Sequence, residues 1–398
     1  MFVRLDTDTG LSGYGEMFTA QTYVRPSHLA VGLQQVAEDF FYGQNPTNVE
    51  YLYHRFHNSH YSHTGELLKA AIFSALEMAC WDLVGKDMGK PVYELLGGQF
   101  RQSVRTYSYV SAPPELEDLG FDFWLNPDAV GERAVQLVDE GFTAMKLDPF
   151  PLLTGSDSHQ SQVVPLQWSL EALDLAEETI ATVRKRVGSK ADIIIGTHGQ
   201  MTASGAIRFA RRVERFDPLW FEEPVPPELS SEMAKVAKAT SIPITSGERL
   251  TSKWDFARLI RDGAVSIINP DVSQVGGLME ARKIAAVAEA NYVQVSPHVY
   301  GGPFVAIASL HLSLATPNVF ISEGLGRFTG IHADLLDRPI QWRDGYAYLS
   351  DRPGLGHDLN EELARSLRAS DDARFWGSMG APSEAVDDIA AVEVAAWQ

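Results

Sequence analysis

From residue 104 onward the sequence alternates short β-branched or aromatic runs with longer stretches of helical periodicity, and this alternation constrains the fold more than any other feature. The runs are RTYSYV, FTAMKLD, ADIIIG, PLWFEE, IPITSGE, VSIINPD, YVQVSPH and VFISEG, eight strand candidates in all. Seven helical stretches separate them, among them 168–187, 203–215 and 277–290; in the last, Met279, Ile284, Ala285 and Ala288 share one side. Strand–helix alternation in this number predicts a parallel barrel. The competing arrangement, an open doubly wound sheet, needs a phosphate-type glycine loop after its first strand, and TYSYVSAPPELE offers none.

The flanks read differently. Residues 1–103 combine the strand-like FVRLDTD and GLSGYGEMF with a helix carrying Leu68, Ile72, Ala75, Leu76, Ala79 and Leu83, expected to end near Gly85. KPVYELLGG reads as a turn and a short helix stopped by the glycine pair. This is a small α+β unit. Residues 104–330 form the barrel. In 331–398, PIQWRDGYAYLSDRPGLG is expected to return to the N-terminal unit, and the acidic, alanine-rich end to be peripheral.

With 45% hydrophobic and 21% charged residues, the chain can bury a large core. It has no apolar run long enough to span a bilayer, and MFVRLDTDTG lacks the basic and apolar regions of a signal peptide. A single cysteine, Cys80, precludes an internal disulfide framework, so a cytoplasmic protein is expected. The formal charge of -19 argues against a nucleic-acid partner. The same charge repels anionic small molecules at long range, so an acidic substrate requires a local reversal of the field, such as a metal beside a lysine. Elsewhere on the surface it serves solubility.

In a barrel, polar residues at the C-terminal strand ends converge on one mouth. Here those ends carry Lys146 and Asp148, His198, Glu222 and Glu223, Glu248, Asp271, His298 and Glu323, each beside an apolar strand interior. Glu222 and Glu248 fall on neighbouring strands and offer hard oxygen ligands suited to Mg²⁺. Asp271 and His298 end consecutive strands, the arrangement in which a carboxylate fixes an imidazole as a general base. Lys146 can receive an oxyanion or, with a lowered pKa, act as a base.

The strings WDLVGK, PVYELLGG, FEEPVPPE, SGERL, NPDVSQVGGLMEA and SPHVYGGP occur in this order. Over about residues 2–365 the chain resembles the mandelate racemase subgroup of the enolase superfamily. That resemblance implies an α/β fold, a modified TIM barrel (β/α)7β with an α+β N-terminal capping domain completed by the C-terminal segment. It also implies Mg²⁺ on Glu222 and Glu248, a His298–Asp271 dyad as general base or acid, and Glu323 beside the substrate carboxylate. The shared chemistry is removal of the proton α to a carboxylate to give an enediolate. Such a proton is very weakly acidic, so electrostatic stabilisation of the enediolate must supply most of the catalysis.

Within the subgroup, GTHGQ is similar to the acid-sugar dehydratases, which makes His198 the acid that protonates the leaving hydroxyl. Lys146 matches a lysine that contacts the substrate carboxylate. Asp148, in KLD, replaces a second lysine and is assigned to substrate binding. Gly196 departs further, standing where the family carries a third metal carboxylate, so either His198, Asp148 or water completes the sphere or metal binding is weak. The chain also begins inside what resembles the family's first strand, and a lid loop is expected near 16–28. The implied activity is dehydration of an aldonate or aldarate by a homo-oligomeric enzyme with a small acid-sugar substrate. Epimerase or lactone cycloisomerase activity on the same enediolate, and non-catalytic, metal-poor sugar-acid binding, are the alternatives.

Overall fold

The computed structural model describes residues 1–18, 24, 26–59, 65–112, 123–150 and 167–367. Two antiparallel strands, β1 (Phe2–Asp6) and β2 (Ser12–Glu16), are followed by helices α1 (Pro26–Val36), α2 (Val49–His57), α3 (Leu67–Met88) and α4 (Val92–Leu95). Helix α3 runs past Gly85, where the sequence predicted its end, and stops at the left-handed Gly89. The reason is packing. A Cβ on Gly85 would come within 2.5 Å of the Gly354 Cα, so this glycine admits a neighbouring segment instead of ending the helix.

All eight predicted runs become parallel strands: β3 (Val104–Tyr109), β4 (Ala144–Leu147), β5 (Asp192–Gly196), β6 (Trp220–Glu222), β7 (Ile244–Ser246), β8 (Ile267–Ile268), β9 (Gln294–Val295) and β10 (Ser322–Glu323). Each of β3 to β8 pairs with its successor, and β10 pairs with β3 through Ser322↔Thr106 and Glu323↔Tyr107. A bridge between Val295 and Val319 closes the ring. The connecting helices are α5 (Pro127–Asp139), α6 (Leu170–Val187), α7 (Ala203–Val213), α8 (Ser230–Ala239), α9 (Lys253–Arg261), α10 (Gly277–Glu289) and α11 (Pro303–Ala315). The result is a (β/α)7β barrel under a helical cap.

Tyr107, Ala144, Ile194, Trp220 and Ile267, on five different strands, form a buried cluster of their own with Ile321, the residue just before β10. They plug the barrel as one layer of inward side chains. Because side chains alternate along a strand, the residues two positions on face inward one layer nearer the mouth. Those are Tyr109, Lys146, Gly196, Glu222, Asn269 and Glu323. The apolar plug thus forms the floor of a polar layer.

The return of the chain is more elaborate than expected. After α12 (Ile331–Asp334), the hairpin β11 (Gln341–Arg343) and β12 (Tyr346–Tyr348) pairs antiparallel with β3, through Tyr346↔Arg105 and Ala347↔Val104, and not with the cap. These two β3 residues lie before the point where β10 pairs, so their edge is open to the hairpin. Only the following stretch reaches the cap. Leu355 N–H donates to Asp82 at 2.8 Å, Lys86 pairs with Asp358, and Glu361, in α13 (Glu361–Ser366), pairs with Arg4.

The cap grips the barrel by its helix N-termini. Glu16 accepts from the N–H groups of Gly302, Phe304 and Val305 at the start of α11, and Glu77 from Leu278 and Met279 at the start of α10. Carboxylates placed there satisfy orphan donors and oppose the helix dipole. Among the described residues no helix is long and apolar enough to cross a membrane. Part of the expected lid (19–23 and 25) and the acidic end (368–398) lie outside the described residues.

Candidate active site

The strand-end residues meet at the barrel mouth, and their partners sort them into distinct groups. His298 Nδ1 lies 2.7 Å from Asp271 Oδ2. Asp271, fully buried, also accepts from the Ser273 N–H at 2.8 Å, the Ser273 hydroxyl at 2.6 Å and the Gln274 amide at 3.0 Å. Its orientation is therefore fixed before it meets the imidazole. Burial alone lowers the His298 pKa, but Glu323, the Asp271 hydrogen bond and Glu248 together outweigh it and raise the value to about 10.

His198 forms a second dyad. Its Nδ1 is 2.9 Å from Asp148 Oδ2, so Asp148, assigned from sequence to the substrate, instead orients this ring. The His198 ring is 44% exposed; desolvation by the groups around it acts to lower its pKa, and Glu248 and Asp148 override this and raise it to about 9. His198 sits at φ 47°, in the left-handed region that non-glycine residues seldom adopt. The Thr197 hydroxyl, bonded to the carbonyls of Glu222 at 3.0 Å and Glu223 at 2.9 Å, anchors this turn to β6. Backbone strain of this kind clusters where a side chain must be aimed.

Glu248 lies between the two dyads. Its Oε1 is 3.9 Å from His198 Nε2, and its Oε2 is 3.7 Å from His298 Nε2. The Glu248 Oε2 is buried without a hydrogen-bond partner. Burial favours the protonated acid, yet His198, Lys146 and His298 around it hold the carboxyl well below the usual range. Glu323 accepts from the Val299 N–H at 3.0 Å and approaches His298 Nε2 at 3.8 Å.

Lys146 is 1% exposed and lies deeper than a mouth-facing lysine would. Its ammonium donates to Glu222 Oε1, stands 3.7 Å from Glu248 and 4.0 Å from Glu323, and lies 5.5 Å from the centre of the Tyr109 ring. Burial opposes its charge, but Glu222 and Glu323 prevail and push its pKa well above the normal lysine value. Glu222 Oε2 accepts from the Trp220 indole at 2.8 Å. Burial, with Glu248 and Glu323, raises the Glu222 pKa to about 7 against the pull of Lys146.

Sequence reasoning left two supporting groups unassigned. Arg249 binds Glu223 at 2.6 Å, which neutralises a carboxylate that would otherwise compete in the mouth. Ser273 and Gln274 hold Asp271, and their signal was present in DVSQ: a serine two residues after an aspartate closes a local turn on it.

Superfamily members are in general magnesium-dependent, and sequence analysis expected Mg²⁺ on Glu222 and Glu248, with His198, Asp148 or water completing its sphere. The side chains present do not fit that ion. Gly196 supplies no donor, His198 Nδ1 is engaged by Asp148, and the Lys146 ammonium lies against the Glu222 oxygen that would ligate. Among the described residues, no group of three or more His, Cys, Asp or Glu side chains is arranged to hold a metal.

A capped (β/α)7β barrel with acid–base groups on successive strand ends defines an enzyme class built to act on small molecules at the barrel mouth. Residues 1–97 match the N-terminal domain of the mandelate racemase/muconate lactonizing enzymes, and 129–363 match the enolase C-terminal domain-like family; the chain belongs to this family of the enolase superfamily. Its relatives include the D-galactonate dehydratase of Pectobacterium atrosepticum, 32% identical over 94% of this chain and 92% of that protein. Two solved structures assigned to mandelate racemase/muconate lactonizing enzymes are also similar. One, from Burkholderia SAR-1, is 42% identical with TM-score 0.89, covering 97% of this chain and 93% of that one. The other, from Sulfitobacter sp, is 38% identical with TM-score 0.86, covering 92% and 89%.

Proposed function

We propose that the protein is a hydro-lyase that dehydrates a sugar acid, an aldonate or aldarate, to a 2-keto-3-deoxy acid. The observation that carries this reading is the pair of His–Asp dyads whose Nε2 atoms face the two oxygens of Glu248 at 3.7 and 3.9 Å. One imidazole can remove a proton from a substrate lying over Glu248 while the other protonates a departing hydroxyl. The dehydratase relatives support the same assignment.

With its Nδ1–H donated to Asp271, His298 acts as base in its deprotonated form, a minority at neutral pH given its raised pKa of about 10; the Nε2 lone pair takes the α-proton, and Asp271 stabilises the imidazolium that forms. His198, its Nδ1 held by Asp148, presents Nε2–H to the β-hydroxyl, which leaves as water. In this reading the substrate carboxylate lies towards Glu323, with the positive charge of Lys146, 4.0 Å from Glu323, beneath it. The magnesium dependence implied by the family is not part of this reading, because the donor set does not fit the ion. Incubation with a panel of aldonates and aldarates, followed by a 2-keto-acid assay, tests the reading. Release of a keto acid from at least one is expected; epimerised or lactonised products without keto acid would make the enzyme an isomerase.

A further inference from the structure

Gly196 and Lys146 share one space at the barrel mouth. A Cβ on Gly196 would lie 2.9 Å from Lys146 Cε, closer than real contacts allow. The lysine stem therefore crosses space that any side chain at 196 would fill. At the end of that stem, the Nζ sits among three carboxylates: in contact with Glu222, 3.7 Å from Glu248 and 4.0 Å from Glu323. The Tyr109 ring lies 5.5 Å away, where an aromatic face favours a cation. Three carboxylates converging on one point require positive charge, and the chain supplies it covalently.

Resting on the dehydratase reading above, we propose that the Lys146 ammonium, lodged in the space opened by Gly196, is the resident cation of this site. It holds Glu222 and Glu248 in place and offers its remaining N–H groups to the carboxylate oxygens on which enediolate charge develops, in place of a divalent metal ion. The ammonium is a compact point charge with three donors, and three carboxylates leave it neither free nor fully spent. Preorganised charge of this kind supplies stabilisation without reorganisation during the reaction. The Glu248 oxygen that lacks a partner stands 3.7 Å from both Lys146 Nζ and His298 Nε2.

The test separates metal binding from turnover. Full-length protein is treated with EDTA, dialysed and titrated with Mn²⁺, read by the electron paramagnetic resonance of the free ion and by tryptophan emission, since Trp220 donates to Glu222. The parent is expected to show no saturable one-equivalent site. Lys146→Met, which removes the competing ammonium, should bind Mn²⁺ more tightly than the parent. Gly196→Asp, which adds a carboxylate and displaces only a flexible lysine end, should bind more tightly still. Circular dichroism checks that each variant is folded. Saturable Mn²⁺ binding by the parent that is lost in Glu248→Gln overturns the proposal, as does a folded Lys146→Met that binds no better than the parent. Where a sugar acid turns over, turnover should survive chelation; loss on EDTA with recovery on Mg²⁺ also overturns it. A panel without any keto-acid product fails the dehydratase reading, while the Mn²⁺ titrations still decide the role of the ammonium.

Discussion

The two imidazoles of the site are built alike but carry different consequences when removed. His298→Asn should fold as the parent does and lose on the order of 10²–10⁴ in turnover, the usual worth of a positioned general base. Asp271→Asn should lose less, because Ser273 still donates to the remaining oxygen at 271 and keeps the side chain in place, although His298 and Gln274 lose the acceptor they share. In D₂O the parent should place deuterium at the α-carbon of recovered substrate or at C3 of the 2-keto-3-deoxy product, where the enol is protonated, and His298→Asn should not; unchanged incorporation would move the base to another residue. For His198→Asn the expectation is the reverse combination, with keto-acid formation abolished and α-proton exchange retained. Loss of both activities would show that His198 does more than protonate the leaving group. Residue identities at the strand ends were legible in the sequence because charged side chains after apolar runs stand out. What the sequence hid was how they pair. Asp148 turns to His198 across neighbouring strands, and Lys146 sinks towards Glu222, because the space at Gly196 exists only once β4 and β5 lie side by side in register.

Among the elements, the barrel strands were the plainest feature of the sequence, since strands buried on both faces read as continuous apolar runs such as the Ile193–Ile194–Ile195 core of β5. Chain segments whose fate depends on a distant neighbour were harder. Gly85 reads as a helix stop until Gly354 is seen against it, and the hairpin β11–β12 finds its partner in an exposed edge that no local pattern announces. The contact between α3 and α10 makes a testable claim about such long-range joints. Glu77 is fully buried, and burial raises its pKa to about 7 against the Met279 and Leu278 N–H groups and the Trp81 indole. An unfolded glutamate ionises near 4.5, so between that value and about 7 the native state holds the extra proton. Stability therefore falls as pH rises through this window, with a slope of at most about 1.4 kcal/mol for each step of one in pH. Glu77→Gln cannot ionise. Thermal midpoints measured from pH 5 to 8 should decline for the parent and decline less for Glu77→Gln; parallel curves would mean that Glu77 is ionised throughout.

At the scale of the whole molecule, a formal charge of -19 surrounds a mouth meant for an anion. Near that mouth, Glu222, Glu223, Glu248, Glu323, Asp148 and Asp271 outnumber Lys146, Arg249 and the protonated His198 and His298, so the carboxylates there keep the sign of the global charge. Substrate capture and chemistry then respond differently to salt. The Debye length shrinks from ~30 Å at 0.01 M to ~8 Å at 0.15 M, which screens the surface from an approaching sugar acid but scarcely reaches buried pairs such as Lys146 and Glu222. Raising ionic strength across that range should therefore increase kcat/KM by roughly a few-fold through faster encounter, with kcat nearly unchanged. An aldarate, with two carboxylates, should show a steeper dependence than an aldonate with one. The measurement is a Michaelis–Menten series in inert 1:1 salt at fixed pH, using whichever acids the panel identifies. If kcat/KM instead falls with salt, Lys146 and Arg249, aided by protonated His198 and His298, dominate the approach path, and the mouth attracts anions despite the charge of the body around it.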